Sequence, residues 1–375
     1  MNKDKYPWRQ TNRFTLLKDG EQFFPIIFEH IAKAQEYILI EMYLIRSGRV
    51  TDALIEALRK PAQNGVSICL LFDAYGARGL NKTDRARLNT LGARMCFFNR
   101  FRLRNPLRYI PRDHRKIINI DGEITFVGGL GFHDSFLNDH HHTQWRETVI
   151  KIEGESCQDW VDAFCLAWKQ CTQRTLYFAV PTHNVEHLSQ AGHVAISPHQ
   201  HEREIRRNII NQLRNARQRI WISTAYFVPS RKIRRLLRRA ARRGIEVKLI
   251  LPGSSIDHPG VRYAGHRFYS RLLHNKVKIY EYQPRFVHQK IILIDDWVSM
   301  GSANLDRWNL YWNLEANQEV RDNTFAQQVQ NMLEQDLANC EELIYEQWRQ
   351  RTRWRRLQEW FWGQIDKLLL KLSAM

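Results

Sequence analysis

Two short stretches of this chain carry the same order of reactive side chains. Residues 114–129 read HRKIINIDGEITFVGG, and residues 288–304 read HQKIILIDDWVSMGSAN. Each runs His, one residue, Lys, four residues, Asp, then a turn ending in two small residues. One His and one Lys per copy suggest a single centre built from two similar lobes. Two imidazoles facing one substrate can divide the work of nucleophile and general acid. Two ammonium groups can neutralise a phosphate. The set suits phosphoryl transfer without a metal or any other cofactor.

The surroundings of the motif repeat as well. Ahead of the first copy, an amphipathic stretch with Phe28, Ile31, Ala32 and Ala34 leads into YILIEMYLI, and TDALIEALRKPAQNG leads into VSICLLFDAYG. Ahead of the second, REIRRNIINQLRNARQ leads into RIWISTAYFVP, and RKIRRLLRRAARRG leads into IEVKLILPGSS. A further helix and then GARMCFFN or NKVKIYEY complete each half. Gly65 and Gly244 stand where a helix C-terminal cap is expected. The strands are short, rich in Ile, Leu and Val, and in places apolar on both faces, as parallel strands covered by helices are. The alternation predicts an α/β fold of two similar lobes, each a mixed, mainly parallel sheet flanked by helices, packed as a pseudo-two-fold pair. The expected domains are a first lobe over 1–185, a second over 186–325 and a helical tail over 326–375. On a strand, His114 and Lys116 share a face, as do His288 and Lys290. Asp121-Gly122 favours a tight hairpin turn, and Asp295-Asp296 is a weaker one.

With both His-x-Lys-x4-Asp signatures in place, the chain resembles the phospholipase D superfamily. Within it, the chain looks like the short bacterial cardiolipin synthases that lack amino-terminal membrane spans. The likeness rests also on Gly128 and Gly129, Trp145-Arg146-Glu147, Tyr226-Phe227-Val228-Pro229, Gly301-Ser302-Ala303-Asn304 and Glu315, and covers residues 14–320. Gly131 stands where the first motif usually carries Asn, and Glu147 where the family carries Asp. Five residues separate Asp295 from Gly301, against six between Asp121 and Gly128.

The resemblance implies a two-step displacement through a covalent phosphohistidine. Its catalytic set is His114, Lys116, Asp121, His288, Lys290 and Asp295, with His114 as nucleophile and His288 as acid and base. Asp121 and Asp295 come with the signature, although such aspartates more often hold the turn after the motif strand. Lys116, Lys290 and Asn304 would bind the phosphoryl oxygens, with help from Ser302. Glu315 would orient a catalytic imidazole, and Glu147 would be its counterpart. The implied partners are phospholipids, namely phosphatidylglycerol and, as a second donor, phosphatidylethanolamine.

The formal net charge of +18 directs the chain toward phosphate-bearing or anionic surfaces. NRFRLRNPLRYIPR (99–112) leads into the first motif, and residues 231–243 hold eight basic side chains in thirteen. Ile233, Leu236, Leu237 and Ala240 form a buried stripe there, so its basic face is equally read as solvated. The tail WRQRTRWRRLQEWFWGQIDKLLLKL (348–372) mixes basic residues with four Trp and a Leu stripe. It reads as a helix in the plane of an anionic membrane, the other reading being a helix docked on the second lobe. No apolar run approaches the ~20 residues that span a bilayer. The N-terminus MNKDKYPWRQTNRF lacks a signal-peptide core. A peripheral position on the cytoplasmic face of the bacterial inner membrane is therefore expected. The six cysteines have no CxxC spacing and suggest core residues or free thiols, not a disulfide framework or zinc site. His140-His141-His142, with His133 and Asp139, read as a surface loop and not as a metal site, because consecutive imidazoles share no face. His258 and His266 read as loop or helix surface.

The leading function is a peripheral transphosphatidylase that moves a phosphatidyl group onto the headgroup hydroxyl of phosphatidylglycerol, making cardiolipin. A phospholipase D releasing phosphatidic acid would use the same residues. A nuclease would also use strong positive charge. However, the family's simplest nucleases carry one motif per chain and dimerise, and a Trp–Leu tail fits lipid better than DNA. Nucleic acid is therefore not the expected partner. A catalytically inert membrane adaptor is opposed by the intact His and Lys pairs.

Overall fold

The computed structural model describes residues 4–101, 109, 111–138, 144–180, 189–197 and 203–372. The 99–112 stretch falls mostly, and the Asp139–His142 cluster wholly, outside them. The chain forms two compact units. The first holds Met1–Glu202, Met300–Ser302 and Trp312–Val320; the second holds Arg203–Ser299, Ala303–Tyr311 and Arg321–Met375.

In chain order the first unit begins β1 (Arg9–Lys18), α1 (Asp19–Ala32), β2 (Tyr37–Met42), α2 (Arg49–Gln63), β3 (Ser67–Asp73), α3 (Lys82–Thr90) and β4 (Arg94–Phe98). Then come β5 (Lys116–Ile120), β6 (Ile124–Gly128), β7 (Thr148–Gly154), α4 (Ser156–Thr172) and β8 (Gln190–Ser197). The second unit runs α5 (Glu204–Asn215), β9 (Arg219–Thr224), β10 (Phe227–Val228), α6 (Arg231–Arg242), β11 (Glu246–Pro252), α7 (Pro259–His266), α8 (Tyr269–Leu273), β12 (Lys278–Tyr282), β13 (Lys290–Ile294) and β14 (Trp297–Gly301). After β15 (Leu305–Asp306) and α9 (Arg307–Tyr311), β16 (Glu315–Arg321) returns to the first unit. The chain closes with α10 (Asn323–Leu337), β17 (Cys340–Glu342), α11 (Tyr345–Arg349) and α12 (Arg353–Leu372) in the second.

The strand order in the first unit is β16-β8-β1-β7-β6-β5-β2-β3-β4. In the second it is β17-β12-β11-β9-β13-β14. The sheets are mixed, but their parallel share is smaller than the sequence suggested. Parallel pairing is found in β2-β3-β4 and β9-β11-β12. In the first unit β1–β7, β1–β8, β2–β5, β5–β6 and β6–β7 are all antiparallel. Helix crossovers permit parallel neighbours; beyond them, the tight turn at Asp121-Gly122 makes its two strands antiparallel.

Burial on both faces explains the unbroken apolar runs. Ile38, Ile40 and Met42 of β2 pack with Phe23 and Ile27 of α1 and Leu54 and Leu58 of α2. Tyr37 and Leu39 face the opposite way, onto Phe164 and Trp168 of α4. Fully burying each such side chain is worth about 1.5–3 kcal/mol. The turn residues behave as their types require. Gly65 and Gly244 take φ of +80° and +88°, the left-handed cap that glycine favours. Asp121 and Gly122 both have positive φ, as a tight hairpin turn needs.

Two expectations are corrected. Cys96 on β4 and Cys171 in α4 form a disulfide, with their Cα atoms 6.8 Å apart. They lie 75 residues apart in sequence, so only the packing of α4 beneath the sheet brings them together. His266 is fully buried, not on a surface, and its Nε2 lies 3.2 Å from Glu281.

Candidate active site

The motif strands hold the same place in each unit. β5 runs antiparallel to β2 with Lys116 opposite Met42, and β13 runs antiparallel to β9 with Lys290 opposite Thr224. The residue inside each His-x-Lys anchors the strand. Arg115 reaches Glu41 at 3.5 Å, while Gln289 donates to Ser223 at 2.9 Å and to Asp336 at 2.8 Å. Glu41 and Ser223 occupy one register position, opposite Ile117 and Ile291. His and Lys are thereby presented on the other side, as the two-residue spacing requires.

In the first unit, His114 Nδ1 lies 2.9 and 3.1 Å from the two carboxylate oxygens of Glu315. Glu315 is wholly buried at the start of β16. The Ser302 hydroxyl donates to its Oε2 and accepts the Ala316 N–H at 3.0 Å. The His114 backbone N–H donates to the Leu314 carbonyl at 2.9 Å, which ties the motif to the segment that carries Glu315. With Nδ1–H donated to the carboxylate, the lone pair lies on Nε2. Lys116 Nζ donates to the His114 carbonyl and sits 5.0 Å from the centre of the Tyr43 ring, against which His114 packs edge-on at 4.7 Å. Burial and then Asp73 hold the Tyr43 phenol above its usual range, so it stays protonated.

In the second unit, Lys290 Nζ donates to the His288 carbonyl and lies 3.1 Å from its Nδ1. Phe286 packs edge-on against the imidazole at 5.5 Å. Asn304 is buried; its Oδ1 accepts from the Thr224 hydroxyl at 3.3 Å, and its Nδ2 has no acceptor among the described residues. That leaves amide donors for a phosphoryl oxygen.

The two signature aspartates hold backbone. Asp121 accepts the N–H groups of Gln35, Glu36 and Tyr37, each at 2.8 Å. Asp295 accepts those of Arg217, Gln218 and Arg219 at 2.8, 2.9 and 3.1 Å. Each carboxylate fixes the start of the strand beside its motif, the structural role such aspartates more often have. Ser302, expected to help bind the phosphoryl oxygens, places its hydroxyl on Glu315. Glu147 is fully buried, with Oε1 accepting the Thr148 N–H at 2.9 Å. The small residues that end each motif serve close approach: a Cβ on Gly128 would stand 2.8 Å from the Thr148 carbonyl, and one on Gly301 2.3 Å from that of Ala316.

Beneath His114 lies a charged layer that the motif does not announce. Asp73 accepts the N–H groups of Tyr75, Gly76 and Asp113, and pairs with Arg112 at 3.4 Å. Asp113 is buried against Glu41, whose two oxygens have no hydrogen-bond donor among the described residues. Burial pushes Asp113 up to about 6 and Glu41 well above the usual carboxylate range, so the pair retains a proton. The one visible signal was a glutamate inside the apolar run YILIEM.

A His–Lys pair at the start of the same strand in two repeated mixed α/β units defines a phospholipase D-type enzyme. The family model described as "Cardiolipin synthase, PLD-like domain" matches residues 27–165 and 209–337. The chain is 32% identical to cardiolipin synthase B of Salmonella typhi, over 93% of this chain and 86% of that protein. It is 30% identical to a cardiolipin synthase of Clostridium perfringens, over 94% and 76%. The crystal structure of phosphatidylserine synthase from Haemophilus influenzae Rd KW20 shares the fold, with a TM-score of 0.71 over 97% of each chain at 13% identity. The chain belongs to the phospholipase D-like cardiolipin synthase family and is a phosphatidyltransferase.

Proposed function

We propose that this protein makes cardiolipin, moving a phosphatidyl group from a donor phospholipid to the headgroup hydroxyl of phosphatidylglycerol. The donor is phosphatidylglycerol or phosphatidylethanolamine. The observation that carries the reading is the His114–Glu315–Ser302 chain, which commits Nδ1 and leaves Nε2 as a nucleophile. Nε2 attacks phosphorus; a P–N bond forms as the P–O bond to the leaving glycerol or ethanolamine breaks. His288 gives its proton to that oxygen. It then takes the proton of the acceptor hydroxyl, whose oxygen attacks phosphorus and releases His114. Lys116, Lys290 and the free Asn304 amide hold the non-bridging oxygens, on which charge grows in the transition state. By the repeat, Glu147, which follows the first motif as Glu315 follows the second, is the counterpart of Glu315. Water in place of the acceptor would give phosphatidic acid by the same intermediate.

The reading includes a peripheral position on the cytoplasmic face of the bacterial inner membrane. No helix of the described residues is long and apolar enough to cross a membrane. α12 is docked on α7: Arg267 donates to the Gly363 carbonyl at 2.6 Å, and Trp362 fills the space beside Gly260. Its other side exposes Trp354, Leu357, Trp360 and Phe361. Docking and an aromatic face for lipid are thus properties of one helix.

The test is to incubate the purified protein with phosphatidylglycerol vesicles, with and without phosphatidylethanolamine, beside His114→Ala. Mass spectrometry should find cardiolipin with the intact protein alone. Phosphatidic acid as sole product would replace transfer by hydrolysis, and cardiolipin from the variant would remove His114 as nucleophile.

A further inference from the structure

A half-buried guanidinium is ordinarily paired, because its five N–H donors lose water on burial. In the second unit Arg234 and Arg307 depart from this, and Arg267 does so in part. The guanidinium of Arg234 stacks on the Phe268 ring at 3.9 Å, and that of Arg267 lies 4.5 Å from the centre of the same ring. The Nε–H groups of all three arginines are buried without an acceptor among the described residues. Arg267 is partly satisfied by the Gly363 carbonyl and the Asp366 carboxylate of α12. Arg234 and Arg307 pair with no carboxylate among the described residues. Burial, then the charges of Arg307, Arg267, Arg238 and Arg271, push Arg234 down to about 10. The fold therefore sets two of these like charges on one apolar ring and leaves the Nε–H of all three without an acceptor among the described residues. An oxyanion would remove the repulsion and accept those donors, and the planar fork of arginine matches phosphate oxygens.

We propose that Arg234, Arg267 and Arg307 form a binding site for a phosphate-type oxyanion, supplied by a phospholipid headgroup or by free phosphate. Arg267 also pins α12, the helix that exposes Trp354 and Trp360. A headgroup held there would be bound beside the docked aromatic helix. The site uses neither catalytic histidine, so it stands or falls independently of the reaction.

The experiment uses the full chain, with Arg234→Gln and Arg307→Gln beside Arg239→Gln, an equal charge change at an exposed position of α6. Tm is followed against inorganic phosphate, with chloride at matched ionic strength as reference. Flotation measures binding to phosphatidylcholine vesicles with and without phosphatidylglycerol. Phosphate, phosphatidylglycerol or both should bind the wild type, and each site variant should weaken that binding by about tenfold, with Arg239→Gln close to wild type. Without ligand, Arg234→Gln should melt no lower than wild type, since repulsion is relieved. Loss confined to vesicles identifies a headgroup as the source; loss confined to soluble phosphate identifies free phosphate. Equal effects from Arg239→Gln, or no response of the wild type to either probe, would overturn the site. So would a Tm loss in Arg234→Gln with unchanged ligand binding, the mark of a merely structural arginine.

Discussion

Glu315 is the residue on which the first half of the site turns. Its two oxygens face His114 Nδ1, and the Ser302 hydroxyl fixes the carboxylate from behind. Glu315→Gln keeps the shape but can present an N–H to Nδ1, which favours the wrong tautomer. Transfer kcat should fall about 10²–10⁴-fold, with KM for phosphatidylglycerol little changed. Ser302→Ala removes one hydrogen bond to a charged group and should cost about tenfold. Steady-state kinetics checks both; a Glu315→Gln enzyme with wild-type kcat would remove the orienting role. The Glu41–Asp113 pair has a different signature. Asp113 is raised from 3.8 to about 6, so the folded state binds more protons than the unfolded chain between those values. The Asp113 contribution is therefore complete at low pH and is lost as pH rises through about 6. Asp113→Asn should melt progressively higher relative to wild type as pH rises through about 6, the point at which the folded chain gives up that proton. A Tm difference that stays constant through that point would show that Asp113 does not titrate there.

At the scale of elements, the signature aspartates belong to strand placement. Asp121 and Asp295 each collect three backbone N–H groups at the start of β2 or β9, the strand on which the motif strand is laid. Asp121→Ala and Asp295→Ala should each lower stability by about 1–3 kcal/mol, while the folded fraction keeps a kcat within about threefold of wild type. Thermal melts and kinetics below the variant's Tm separate these quantities. A hundredfold kcat loss at unchanged Tm would restore both aspartates to the chemistry. Such elements show what was legible in the sequence. Helix caps at Gly65 and Gly244, the turn at Asp121-Gly122 and the α6 stripe through Ile233, Leu236, Leu237 and Ala240 depend on local chemistry, and the structure has them where the sequence put them. The sheet's many antiparallel pairs, the Cys96–Cys171 bond and the burial of His266 depend on which distant segments meet, and no local pattern carries that. Ser302 was legible as a site residue, but its hydrogen bond to Glu315 was not, because only β16 returning to the first unit brings the two together.

For the molecule as a whole, the two attractions proposed for the membrane can be separated by their physics. On the proposed reading, a net charge of +18 would draw the protein to anionic lipid over a distance set by the Debye length, about 10 Å at 0.1 M salt and ~3 Å at 1 M. The exposed Trp354, Leu357, Trp360 and Phe361 of α12 would act by burial in the headgroup region, which salt does not screen. Charge alone would give binding to phosphatidylglycerol vesicles that vanishes as salt is raised. Both together give a steep fall followed by a residual that persists at high salt. Replacing Trp354 and Trp360 with Ala should abolish that residual and leave the low-salt affinity reduced but measurable. Both side chains are mostly exposed, at 67% and 60%, so the substitutions should leave Tm nearly unchanged. Vesicle flotation across a salt series, on wild type and the double variant, reads both parts. If the two proteins lose binding along one curve, α12 contributes only its charge, and the helix is a docked element of the second unit without a membrane face.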